Sequence, residues 1–275
     1  MSILDMIRSR TSCRTFKPAP LSPADKRSLE VFIRENNSGL EGERIPLTII
    51  EKEAGKKPMR LDYGVIKGHS AYVMGASKVS IDSRVNYGYI VEKVVLKATE
   101  MNIGTCWVGY FDAEYFNADI KIENGYEIPS IVVVGYPTET PSLLDKVVRF
   151  STKAAKRLTW DALFFNYRSQ TAISPESVEK YSDSLEMVRL APSSGNTQPW
   201  RVFFDETANE FHFYKKPVSR KYEAKGLHEI DIGIAMSHFE LASMYKGLSG
   251  GWIRYTEESV KVMGDLSYIA TWKCS

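Results

Sequence analysis

The chain has 275 residues, of which 43% are hydrophobic and 25% charged, a balance that suits one large folded domain or two modest ones. A formal net charge of +2, with no long Lys/Arg run, argues against a nucleic-acid partner. Three widely spaced cysteines (Cys13, Cys106, Cys274) argue against a disulfide framework, and His69, His212, His228 and His238 lack metal-ligand spacing, so no metal is expected.

In chain order, residues 1–10 read as a short helix with Ile3, Leu4, Met6 and Ile7 on one apolar face. Asp5 and two arginines interrupt that segment, so it reads neither as a signal peptide nor as a membrane anchor, and a cytoplasmic location with no membrane partner is expected. The polar turn after it sets Arg10, Ser12 and Arg14 at alternate positions. In an extended backbone all three project to one side, where two guanidinia and a hydroxyl make an anion site; a solvated basic turn is the alternative on charge alone. Ser22 as N-cap, Pro23 and Asp25 open a second helix that runs to about Arg34 and breaks at Asn36-Asn-Ser-Gly39. Residues 45–50 and 71–74 read as strands, residues 52–57 as a charged turn, and residues 87–101 as a long helix with Ile90, Val91, Val94, Val95, Leu96 and Ala98 inward.

Glycines punctuate the apolar segment 102–109, where backbone can approach a flat ligand closely. Residues 131–137 form an apolar strand ending in Gly-Tyr-Pro, and the basic stretch 153–158 follows a polar loop. Leu185, Val188, Arg189 and Ala191 fit an amphipathic helix, and Trp200-Arg-Val-Phe-Phe204 alternates like a strand. Between them the corner LAPSSGNTQPW ends the helix at Pro192 and offers Gly195 or Asn196 for positive φ; an ordinary helix-to-strand turn is the alternative on composition alone.

That corner resembles the A-P-S-x-x-N-x-Q-P-W corner of the FMN-dependent nitroreductase family, and Arg-x-Ser-x-Arg after a short first helix resembles the same family's FMN-binding entry, with Phe16 as the buried anchor behind it. The resemblance implies a cofactor site that contains Arg10, Ser12 and Arg14, with Arg14 near the pyrimidine edge of the flavin. It places the backbone N–H groups of Gly109 and Tyr110 opposite flavin N5, and it makes Lys156 and Arg157 the completion of a phosphate clamp. Pro192, Ser193, Ser194 and Asn196 would meet the ring edge. No side chain carries a catalytic acid or base signal.

The same order of signals occurs twice. Ser22-Pro23 is echoed by Ser174-Pro175, Ser28-Leu-Glu30 by Ser184-Leu-Glu186 and Ser38-Gly39 by Ser194-Gly195, while Gly88, Leu96 and Trp107 correspond to Gly233, Leu241 and Trp252 at one constant offset. The first half keeps the Arg-x-Ser-x-Arg turn and the second keeps the corner. Set beside the family's two-fold dimers, the chain resembles such a dimer fused into one polypeptide: an internally duplicated α+β nitroreductase-like fold with central antiparallel or mixed sheets flanked by helices, divided at residues 1–158 and 159–275. One complete site and a monomeric state follow. Segments 51–86 and 205–231 show little helix, so the family's substrate-channel excursion is expected to be shortened. The implied activity is FMN-dependent hydride transfer from NAD(P)H to a nitroaromatic, quinone or similar small-molecule acceptor. Reductive dehalogenation, flavin fragmentation and non-catalytic flavin binding are the alternatives.

Overall fold

The computed structural model describes residues 1–52, 66–138 and 156–275. Helix α1 (Ile3–Ser9) starts at Ser2, whose hydroxyl accepts from the Asp5 backbone N–H while the Asp5 carboxylate accepts from the Ser2 N–H, a reciprocal cap. Helix α2 (Pro23–Glu35) starts on the Ser22 cap with Pro23 in its first turn. The first sheet contains β1 (Thr48–Glu51), β2 (Ala71–Met74), β4 (Gly104–Val108) and β6 (Ile131–Gly135), antiparallel throughout in the order β1-β2-β6-β4. A two-stranded ribbon pairs β3 (Ser77–Lys78) with β5 (Tyr126–Glu127).

The second sheet contains β7 (Phe164–Asn166), β8 (Trp200–Asp205), β9 (Glu210–Lys215), β10 (Gly250–Ile253) and β11 (Ser267–Cys274), in the order β10-β11-β9-β8-β7, with only the β7–β8 pair parallel. Read from the other side, β8-β9-β11-β10 repeats the order of the first sheet, and each set receives its long helix between its second and third strands.

Those long helices, α3 (Ile81–Glu100) and α6 (Leu227–Tyr245), share the main hydrophobic core with both sheets. They touch through glycine. A Cβ on Gly88 would lie 2.1 Å from the Ile230 carbonyl oxygen, and one on Gly233 would lie 1.9 Å from that of Val85. The contact is reciprocal, each glycine facing the carbonyl three residues before the other. Helix α4 (Ser182–Leu190) packs on α6, and the short α5 (Arg220–Ala224) precedes it. Among the described residues no helix is long and apolar enough to cross a membrane.

The structure corrects several boundaries. Helix α3 begins six residues earlier than the periodicity indicates, at the Ser80 cap, because its polar first turn hides the apolar stripe. The first strand begins at Thr48, after Pro46, which has no N–H to donate to a ladder. Segment 205–231, expected to hold little helix, contains α5 and the start of α6; α6 is buried on nearly every side and so lacks amphipathic periodicity. Part of the charged turn (residues 53–57) and Lys153 lie outside the described residues.

Candidate functional site

The turn after α1 is held extended because it runs beside β4: Ser12 bridges Thr105 in parallel, and the Cys13 N–H donates to the Thr105 carbonyl at 2.8 Å. Phe16, 3% exposed, buries its ring with Tyr72, Met74 and Val133 and fixes the turn to the sheet. Ser12 and Arg14 thereby line a cavity of about 200 Å³. Gly109 and Tyr110, just beyond β4, form its next wall. Gly109 faces Leu227 of α6 so closely that a Cβ would stand 2.6 Å from the leucine Cδ1.

The opposite wall comes from the other half of the chain, through Pro192, Ser193 and Ser194 of the corner. Gly195, Asn196 and Gln198 all take positive φ there (59°, 58° and 50°), which reverses the chain between α4 and β8. Gly195 suits this turn on two counts, since at positive φ it has no side chain to strain and a Cβ would lie 2.7 Å from the Tyr222 hydroxyl. Hydrogen bonds hold this turn: the Gln198 N–H donates to Ser193 Oγ at 2.9 Å, the Leu158 N–H donates to Gln198 Oε1 at 2.8 Å, and the Ser194 N–H donates to Asp231 Oδ1 at 2.9 Å.

Arg157 is built into the corner. Its guanidinium donates to Asn196 Oδ1 at 2.8 Å and to the Leu190 carbonyl at 3.1 Å, while Asn196 Nδ2 donates to the Lys156 carbonyl at 2.8 Å. Burial, then the neighbouring guanidinia of Arg10 and Arg189, push Arg157 down to about 10. Of these neighbours Arg189 is itself paired with Glu186 at 2.7 Å, so the positive charge that Arg157 meets is chiefly that of Arg10.

The structure therefore brings Ser12, Arg14, Gly109, Tyr110, Pro192, Ser193 and Ser194 onto one cavity. Asn196 and Arg157 stand behind the wall and brace it. Arg10 is the C-cap of α1, before the extended run begins, and it is buried just outside the lining of this cavity. Lys156 presents its carbonyl to the corner, and its side chain is exposed.

Other lining residues were not singled out from the sequence. Tyr222 and Lys221 reach in from α5, where Tyr110 Oη donates to the Lys221 carbonyl at 3.0 Å and the Lys221 ammonium stands 4.3 Å from the Tyr110 ring centroid. Leu227, Ile230, Asp231 and Ile234 line it from α6. Burial raises the Asp231 carboxyl against the opposing effect of His228 and Ser194. A buried acid in Ile230-Asp-Ile-Gly-Ile234 was the available signal, since a charge inside an apolar helix is costly unless it has work to do. Among the described residues no group of three or more His, Cys, Asp or Glu side chains could hold a metal.

The family model described as "Putative TM nitroreductase" matches residues 2–243. A "putative nitroreductase" from Thermotoga maritima has a TM-score of 0.63 and 20% identity, covering 100% of this chain and 93% of that one; the likeness shows the fold. A nitroreductase family protein from Clostridium difficile is similar over 53% of this chain and 90% of its own, at 16% identity and a TM-score of 0.42. A nitroreductase with bound FMN from Bacteroides fragilis is similar over 52% and 92%, at 16% identity and a TM-score of 0.41. No curated protein matches the sequence.

Proposed function

The chain belongs to the "Putative TM nitroreductase" family, and on that premise we propose that it is an FMN-dependent oxidoreductase reducing a nitroaromatic, a quinone or a similar acceptor at the expense of NAD(P)H. The observation that carries this reading is the composition of one cavity, whose walls combine the Ser12/Arg14 turn, the Gly109–Tyr110 backbone and the Pro192–Ser194 corner.

The residues fit such a group. Gly109 presents bare backbone to the cavity beside Leu227, Ser12, Ser193 and Ser194 offer hydroxyls, and Arg14 offers a guanidinium, a lining that suits a flat ring with polar edges. The charge of Arg10 and Arg157 nearby suits an anionic tail such as a phosphate. Bound FMN would supply the hydride chemistry itself, accepting from NAD(P)H and passing to the acceptor. The chain's own part is to bind and shield. Ser12 and Arg14 would hold the polar edge, the corner would hold the ring from across the molecule, and Leu227, Ile230 and Ile234 would keep water from one face.

The same reading includes a fused, duplicated architecture with halves at residues 1–158 and 159–275, working as a monomer with one flavin. The repeated strand order and the reciprocal Gly88 and Gly233 contacts support it. Purification with quantitation of flavin, light scattering, and turnover with NAD(P)H and a nitroaromatic or quinone test both parts. A protein that neither copurifies with nor takes up FMN would refute the cofactor, and two flavins per chain would refute the single site.

A further inference from the structure

The offset that carries Gly88 onto Gly233 also carries Ser83 onto His228 and Asn86 onto Asp231. In the first half these positions are neutral and braced. Asn86 Oδ1 accepts from the Leu40 N–H at 2.9 Å, Asn86 Nδ2 donates to Glu43 Oε2 at 2.9 Å, and Ser83 Oγ donates to Glu43 Oε1 at 2.8 Å. Asp231 does the equivalent bracing, accepting from the Ser194 N–H at 2.9 Å and the Ser194 hydroxyl at 3.2 Å. An amide therefore suffices for the structural task. A carboxyl in its place carries a desolvation penalty that bracing does not explain.

Two further facts belong to the half that faces the cavity. Asp231, itself 2% exposed, lines the cavity, and its Oδ2 lies 3.5 Å from Nδ1 of His228, a fully buried ring whose Nε2 has no hydrogen-bond partner among the described residues. We propose that Asp231, backed by His228, is the proton donor to the acceptor reduced in this cavity. The proposal rests on the FMN-dependent reading above.

Two-electron reduction adds a hydride and a proton. Bound FMN would supply the hydride; at Asp231 the O–H bond breaks as the acceptor's oxygen gains the proton, and the bonding pair stays on the carboxylate. The carboxylate then regains its proton from solvent through the cavity that Asp231 lines, while His228 Nδ1, 3.5 Å from Oδ2, backs it. Burial, which holds the carboxyl toward its protonated form, is consistent with this role. Other groups around the pair are the Ser194 hydroxyl from the corner, Tyr222 of α5 with its ring 6.1 Å from that of His228, and Arg14 and Lys221 on the cavity walls; Glu229 on the same helix is engaged by Lys215 at 2.6 Å.

The test is Asp231→Asn, which keeps the brace as Asn86 does. FMN affinity, read by fluorescence quenching on the apo-protein, is expected to stay within about twofold. Reduction of a quinone is expected to fall by about tenfold or more. The loss with ferricyanide, which takes electrons without a proton, is expected to be several-fold smaller than the loss with quinone. In the apo-protein the carbonyl stretch of a protonated Asp231 carboxyl, read by infrared difference spectroscopy, is expected in the wild type and absent in the variant. Equal losses with quinone and ferricyanide, undiminished quinone reduction, or a wild-type spectrum without that carboxyl band would each overturn the proposal. A wild-type protein that binds no FMN would overturn the underlying reading instead.

Discussion

Substitution of Gly88 or Gly233 by alanine probes the arrangement on which the site depends. The added methyl at Gly88 would stand 2.1 Å from the Ile230 oxygen and at Gly233 1.9 Å from the Val85 oxygen, against about 3.4 Å for ordinary contact. The obstructing atoms are backbone in buried helices, so no side chain can rotate away; α3 and α6 must separate by more than an ångström. Their shared core includes Val85, Val91, Ile230 and Ile234, whose contacts would loosen together. Overpacking of a core costs about 1–3 kcal/mol when neighbours adjust, and a helix–helix backbone clash belongs at the top of that range or beyond it. Each variant is expected to lose about 3 kcal/mol, measured by the urea midpoint at constant m. Because both methyls push on the same pair of helices, the double variant is expected to lose clearly less than the sum. FMN should weaken in step, since the cavity walls come from both sides of this contact. A loss below about 1 kcal/mol for either glycine, or full additivity, would refute the reciprocal helix contact as the joint between the halves.

Four more outcomes follow. Arg10→Ala is expected to weaken FMN by about 1.5–3 kcal/mol in a titration of apo-protein, with riboflavin much less affected; equal losses would remove Arg10 from phosphate binding. Arg157→Ala, which frees Asn196 and the end of α4, should lower both FMN affinity and quinone turnover, and a variant with wild-type affinity would show that the corner needs no brace. Glu92, fully buried, faces His238 Nε2 at 2.9 Å and accepts from Trp107 Nε1 at 2.8 Å, so Glu92→Ala leaves both ring nitrogens without that partner and should cost about 3 kcal/mol by urea unfolding. His69 is held down to about 4 by burial, with the Lys52 charge second; the native state thus favours neutral imidazole, and stability should decline as pH falls from the ordinary value of 6.5 toward 4. His69→Gln should flatten that decline in unfolding midpoints measured across the window, and an unchanged slope would assign it to other groups.

Much of the local structure was legible in the sequence because its causes are local. Ser22-Pro23-Ala-Asp25 caps a helix from within four residues, Phe16 declares its burial by following alternating polar positions, and Pro192 through Asn196 can only be a reversal. The ordered pairs that run from Gly88 and Trp107 to Gly233 and Trp252 also lie in the sequence, as spacing alone. What spacing does not contain is which surfaces meet. Ser12 and Ser194 are separated by most of the chain and face one cavity only because α3 and α6 cross at glycines that admit close approach. Arg157 reads as a basic residue after a strand, and its partners Asn196 and Leu190 become visible only when the corner folds back over it. Helix α6 is the clearest case: apolar on nearly every side, it gives no amphipathic stripe by which its cavity-facing residues could be picked out, so the place of Asp231 and His228 was decided by tertiary packing. Local propensity fixes where elements start and turn, while the juxtaposition that makes a site is a long-range property of the packed core.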